Sequence, residues 1–167
     1  LDIAQTALAT ALLINTDRAI ALAHAMLGEA LAHLYRDADA LPHFEQAAAI
    51  YQRLNCAHSL AQIQVKMVFT LCLLGRRDDA LRLAETARPL CESLGARREL
   101  ARLAMTMGII HKRAGEFDAA LAAYAKSHAL LTALGEHVEA ARVDINCANI
   151  LQERDRYTEA AARYEQA

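Results

Sequence analysis

The stretch AGEFDAALAAYAKSHALLTALGE, residues 114–136, decides the fold. Gly115 ends one apolar stripe and Phe117 opens the next. In the new stripe Ala120, Leu121, Tyr124, Ser127 and Leu131 recur at helical steps of three and four, not at the two-residue step of a strand. Leu134-Gly135 closes it, with Gly suited to the left-handed position just past a helix end. The same punctuation returns along the whole chain. Ala40, Ala80, Ala120 and Ala160 stand forty residues apart, and so do Ala21, Ala61, Ala101 and Ala141. Leu54, Leu94 and Leu134 share a column, and Asn55, Gly95 and Gly135 follow them. Asn15 heads that second column, and Asn is the next-best residue for a left-handed site. Tyr35, Gly75, Gly115 and Asp155 form another column of breaks. A fixed period of this size means stacked supersecondary units rather than one globular core.

Each period holds two helices. In the third, Leu100, Leu103, Met107, Ile110 and Ala114 mark the helix before the quoted stretch. The pattern predicts helices over 1–14, 17–34, 37–53, 57–74, 77–93, 97–114, 117–133, 137–154 and 157–167. Short breaks join them, as antiparallel hairpins require. The expected fold is all-α, a right-handed superhelical solenoid of helix hairpins. Pro42 falls early in its helix, where the lost donor matters least, and Pro89 falls inside one, where a bend is expected. The expected organisation is one array over 1–167. Residues 1–16 form the second helix of a preceding repeat, followed by repeats at 17–55, 56–95 and 96–135 and a truncated one at 136–167. An array entered and left in mid-unit is expected to continue, with uncapped apolar faces such as Ile3, Ala7 and Leu8 prone to end-to-end self-association.

Composition narrows the function. Apolar residues make up 55% of the chain, much of it alanine, and tryptophan is absent. That favours closely stacked helices. A net charge of −2 argues against general nucleic-acid affinity. The longest charge-free run, between Asp2 and Asp17, is shorter than the roughly 20 residues of a membrane span. Cys56, Cys72, Cys91 and Cys147 are irregularly spaced and read as free thiols in a reducing, cytoplasmic setting.

The columns resemble the tetratricopeptide repeat, whose helix pair carries W-x2-L-G-x2-Y, then A-x3-F, then P. The A-x3-F part is seen as Ala40 with Phe44, Ala120 with Tyr124 and Ala160 with Tyr164, while Ala80 is followed by Ala84. The L-G pair is Leu27-Gly28 and Met107-Gly108, with Met67-Val68 and Cys147-Ala148 in those columns elsewhere. The tryptophan column holds His24, Gln64, Ala104 and Asp144, and the closing proline is missing. The long period is similar to that of kinesin light chains, LGN-type polarity adaptors, MalT-like regulators and CHAT-associated arrays. The resemblance implies a protein- or peptide-binding scaffold. The alternative it implies is a regulatory or sensory module restraining an attached effector domain, such as a transcription regulator, kinase, cyclase or CHAT-type protease. A third reading is a purely structural oligomerisation array.

No catalytic chemistry is visible, and the chain is not expected to be an enzyme. There is no nucleophile elbow, phosphate loop or H-E-x-x-H, and the seven histidines show no i,i+4 pair or C-x2-C partner, so no metal or cofactor is expected. Acidic pairs such as Asp78-Asp79 open helices, where negative charge offsets the helix dipole.

The resemblance implies a groove lined by the first helix of each pair. Its outward stripe falls at Leu22, Ala25, Glu29 and His33, then Gln62, Val65, Phe69 and Cys72, then Arg102, Met105, Ile109 and Lys112, then Arg142, Ile145, Asn149 and Glu153. Val65, Phe69, Cys72, Met105 and Ile109 are apolar at positions expected to face solvent, and an exposed apolar strip in a polar rim marks a partner site. Arg102, Arg113 and Arg142 are expected to orient an acidic partner, because guanidinium forks match carboxylates. The family likeness assigns Asn149 to the partner's backbone.

Overall fold

The computed structural model describes residues 1–14 and 16–166; Asn15, expected at a helix end, lies outside the described residues. Those residues form α1 (Asp2–Ile14), α2 (Asp17–His33), α3 (Asp37–Arg53), α4 (Ala57–Leu73), α5 (Arg77–Ser93), α6 (Arg97–Arg113), α7 (Phe117–Ala133), α8 (His137–Glu153) and α9 (Tyr157–Gln166). The fold is all-α, with no strand among the described residues. Helices α3 and α5 run on through Pro42 and Pro89. The chain forms two compact units, Leu1–Leu94 with α1 to α5 and Gly95–Ala167 with α6 to α9.

Both columns of breaks are one device. Tyr35, Asn55, Gly75, Gly95, Gly115, Gly135 and Asp155 all adopt positive φ, between 54° and 74°. At Gly115 the amide donates to the Lys112 carbonyl, and the next amide, of Glu116, reaches back to that of His111. Tyr35-Arg36, Gly75-Arg76, Gly135-Glu136 and Asp155-Arg156 repeat the pair of bonds. This is the Schellman closure, which satisfies carbonyls that a helix end otherwise leaves open. Tyr35 and Asp155 therefore hold a left-handed conformation that costs a side chain about 1–2 kcal/mol. Tyr35→Gly is expected to stabilise unit 1 by roughly 0.5 kcal/mol after the entropic cost of glycine, and Gly115→Tyr to weaken unit 2, both read by urea denaturation.

The second helices open with ion pairs. Arg36 pairs with Asp39, Arg76 with Asp79 and Arg156 with Glu159, always three residues apart and at the same place in the first, second and fourth repeats. Asp79 also takes Arg82. These exposed pairs each add little to stability; of the acidic residues expected at helix starts, they take up Asp79.

In the first and third full hairpins the two helices meet at a small–large contact. A Cβ added to Gly28 would lie 2.7 Å from Phe44 Cδ1, and one added to Gly108 would overlap the ring of Tyr124. Phe44 and Tyr124 are each 1% exposed, among the largest fully buried side chains. The second repeat inverts the sizes. Val68 takes the glycine column and Ala84 the aromatic one, and both are buried. By register, the aromatic missing at position 84 is matched by a larger residue in the glycine column, as close-packed interiors favour.

Candidate functional site

The first helices carry the surface. In unit 1, Leu22 and Met26 on α2 and Phe69 and Leu73 on α4 are exposed. Lys66 of α4 pairs with Glu29 of α2, which ties the two faces together. Phe69 is 38% exposed. Val65 and Cys72 are not on this face. Both are buried, as is Ala25. The reason is rotation. At about 100° per residue, Val65 and Cys72 fall within about 40° of buried Ala61, inside the core stripe, whereas Gln62, Lys66, Phe69 and Leu73 cluster outside it. The exposed apolar stripe is therefore Leu22, Met26, Phe69 and Leu73.

In unit 2 the face lies on α6 and α8. Arg102, Arg113, Arg142 and Ile145 are exposed. Met105 and Ile109, expected in solvent, are half-buried because they rest on the core formed by Tyr124, Leu131 and Val143. Lys112 reaches Glu153 at 2.8 Å and Arg98 pairs with Glu136, so ion pairs link both ends of the two helices. Asn149 is half-buried, and its Oδ1 accepts a 2.6 Å hydrogen bond from the Tyr164 hydroxyl. The cross-helix ion pairs went unforeseen, although opposite charges 37 to 41 residues apart were a signal.

A polar cluster lies behind this face. Asp144 is 3% exposed. Its Oδ1 takes Arg163 Nη1 at 2.9 Å from α9, and its Oδ2 takes His128 Nε2 at 3.0 Å from α7. They line a cleft of about 580 Å³ with Cys147, Arg156 and Glu159. Burial pushes the Cys147 thiol above its ordinary range, against a smaller opposing pull from Arg163. None of the four cysteines is in a disulfide among the described residues. Among the described residues no three His, Cys, Asp or Glu side chains gather as a metal site would need.

The same hairpin position in the first full repeat holds His24 and His43, with Nδ1 atoms 2.9 Å apart. Burial, and then the charge of His43, lower the His24 pKa below its ordinary 6.5. The unfolded chain then binds more protons than the folded one, so the fold keeps this contribution above pH 6.5 and loses it as the pH falls below. The denaturation midpoint is expected to drop between pH 7.5 and pH 5.5, and His24→Leu is expected to flatten that drop.

The tetratricopeptide repeat profile matches residues 59–133 and 99–167, and a second tetratricopeptide repeat profile matches 20–55. The chain belongs to the tetratricopeptide repeat family. Among curated proteins none matches this repeat sequence. Solved tetratricopeptide-like structures do. BtubC (BKLC) from P. vanneervenii superposes with a TM-score of 0.76 at 14% identity, covering 90% of this chain and 63% of that one. Aspartyl phosphate phosphatase F from Bacillus subtilis gives 0.72 at 18% identity, covering 98% and 41%. The chain thus spans less than two thirds of either relative, and the likeness is one of fold. Among the described residues no helix of this repeat array is long and apolar enough to cross a membrane.

Proposed function

We propose that this chain is a non-catalytic scaffold that binds protein or peptide segments on the faces of its first helices. The observation that carries the reading is Phe69, a large aromatic held 38% exposed beside Leu73, on a helix tied to α2 by an ion pair. Apolar side chains exposed within a polar rim mark partner sites. Unit 2 adds the guanidinium groups of Arg102, Arg113 and Arg142 beside Met105 and Ile109, with Lys112 and Asn149 on the same face, which favours an acidic segment. Three buried cysteines outside any disulfide fit a reducing, cytoplasmic setting.

Selection of binders from a displayed peptide library tests this. Acidic sequences with apolar anchors are expected. Phe69→Ala is expected to weaken unit 1 binders by about 1–3 kcal/mol while leaving helicity intact. Arg102→Glu is expected to slow association of unit 2 binders and reduce its salt dependence. Binders indifferent to both substitutions would overturn the assignment of these faces.

A further inference from the structure

We propose that His24 and His43 form a two-imidazole site for a divalent transition-metal ion of square-planar or octahedral preference, with Ni(II) the ion that fits it. The donors come from the two helices of one hairpin, His24 from α2 and His43 from α3, and their Nδ1 atoms stand 2.9 Å apart. The ring centroids are 5.2 Å apart and the planes are tilted by 31°. Since Nδ1 faces Nδ1, one nitrogen donates and the other accepts, and a single proton joins the pair. Two facing imidazole nitrogens can share a metal ion in its place.

The spacing selects the ion. Metal–imidazole bonds are about 2.0–2.1 Å long, so donors 2.9 Å apart subtend about 90° at the ion. That is the angle between neighbouring ligands in square-planar and octahedral complexes, and square-planar nitrogen and oxygen sets mark Ni(II) and Cu(II). Tetrahedral Zn(II) asks for donors about 3.3 Å apart. Among the described residues no third His, Cys, Asp or Glu joins the pair as a ligand, so water completes the shell. Both rings are half-buried, within reach of solvent. His43 also borders an open cleft of about 330 Å³, together with Gln5, Arg36 and Asp39. Arg36 and Asp39 are paired with each other, so the cleft adds no net charge against the ion.

Binding changes the tautomer of a neutral pair and not its charge. Both Nδ1 atoms must be bare toward the ion, so the proton between them moves to Nε2 of its own ring. Stacking itself does not need the two imidazoles. In the same two columns the later repeats hold Gln64 with Leu83, Ala104 with Ala123 and Asp144 with Arg163. The histidine pair is particular to the first full repeat, and its members are nineteen residues apart, a spacing outside the short ligand motifs.

The second repeat supplies the variants for the test. His24→Gln and His43→Leu bring in the residues that Gln64 and Leu83 already place in those columns, so circular dichroism is expected to stay unchanged. Equilibrium dialysis of the whole chain against nickel chloride at neutral pH is expected to find one tight ion per chain. Each variant is expected to weaken it by about tenfold or more, since losing even an outer partner of a metal ligand costs about 10–100-fold. His58→Gln, at the exposed start of α4, is expected to change nothing. Zinc chloride is expected to bind more weakly than nickel chloride. Absence of tight nickel binding, or an affinity indifferent to both His24→Gln and His43→Leu, would overturn the proposal. An equal loss with His58→Gln would also overturn it, and Zn(II) held more tightly than Ni(II) would refute the geometry on which it stands.

Discussion

Gly108→Val is expected to destabilise unit 2 by about 3 kcal/mol, because the new side chain must enter the space of the Tyr124 ring. Tyr124 cannot swing away, since it is 1% exposed. Tyr124→Ala alone is expected to cost about 3–5 kcal/mol through the cavity it leaves. The second repeat already holds the combination Val68 with Ala84. The double variant Gly108→Val, Tyr124→Ala is therefore expected to lose clearly less than the sum, with a coupling of about 2 kcal/mol. Urea denaturation of the four proteins in the cycle measures it. Losses that add to within about 0.5 kcal/mol would show that the two columns do not exchange volume.

The second large effect concerns Asp144. Arg163→Met takes away one of the two partners of a nearly buried carboxylate. Breaking a buried pair from one side costs about 3–5 kcal/mol, and the half-exposed position of Arg163 lowers the expected loss to about 2 kcal/mol. Asp144→Leu removes the buried charge itself and leaves His128 and Arg163 to the solvent they already touch. Its loss is expected to stay below about 1 kcal/mol, since an apolar replacement of a buried ion is often neutral. If Asp144→Leu proves the more damaging of the two, the carboxylate is a net stabiliser and the reasoning is wrong.

Most of the fold was legible in the sequence because its signals are local. Helix periodicity and the Gly/Asn columns place every helix end among the described residues within one residue of its observed position. Tyr35 and Asp155 were less legible. Tyr35 does not favour a left-handed turn and Asp155 does so far less than glycine, so their place in the Gly75–Gly115 column is the main pointer to one. The candidate face was read less well. Spacing alone put Val65 and Cys72 beside Phe69, but a first helix is covered on several sides, and the boundary between its wet and dry arcs depends on neighbours that no local pattern names. Ile63 and Thr70 are buried on the side of α4 opposite Ala61 for the same reason. The Val68–Ala84 exchange was visible only as a lost aromatic, because compensation needs both members of a contact to be seen together.

The paired size columns also bear on how such a chain can be rearranged by recombination. A hairpin moved whole, α4 with α5 or α6 with α7, takes its own fitting contact along. A single helix moved alone does not. Placing α4 before α7 would set Val68 against Tyr124, and placing α6 before α5 would face Gly108 with Ala84 across a void. Crossover points within the short turns at Tyr35, Gly75, Gly115 and Asp155 would split these couples, and those at Asn55, Gly95 and Gly135 would keep them. The two columns of turns share one backbone geometry, yet only one of them is a safe seam for shuffling repeats.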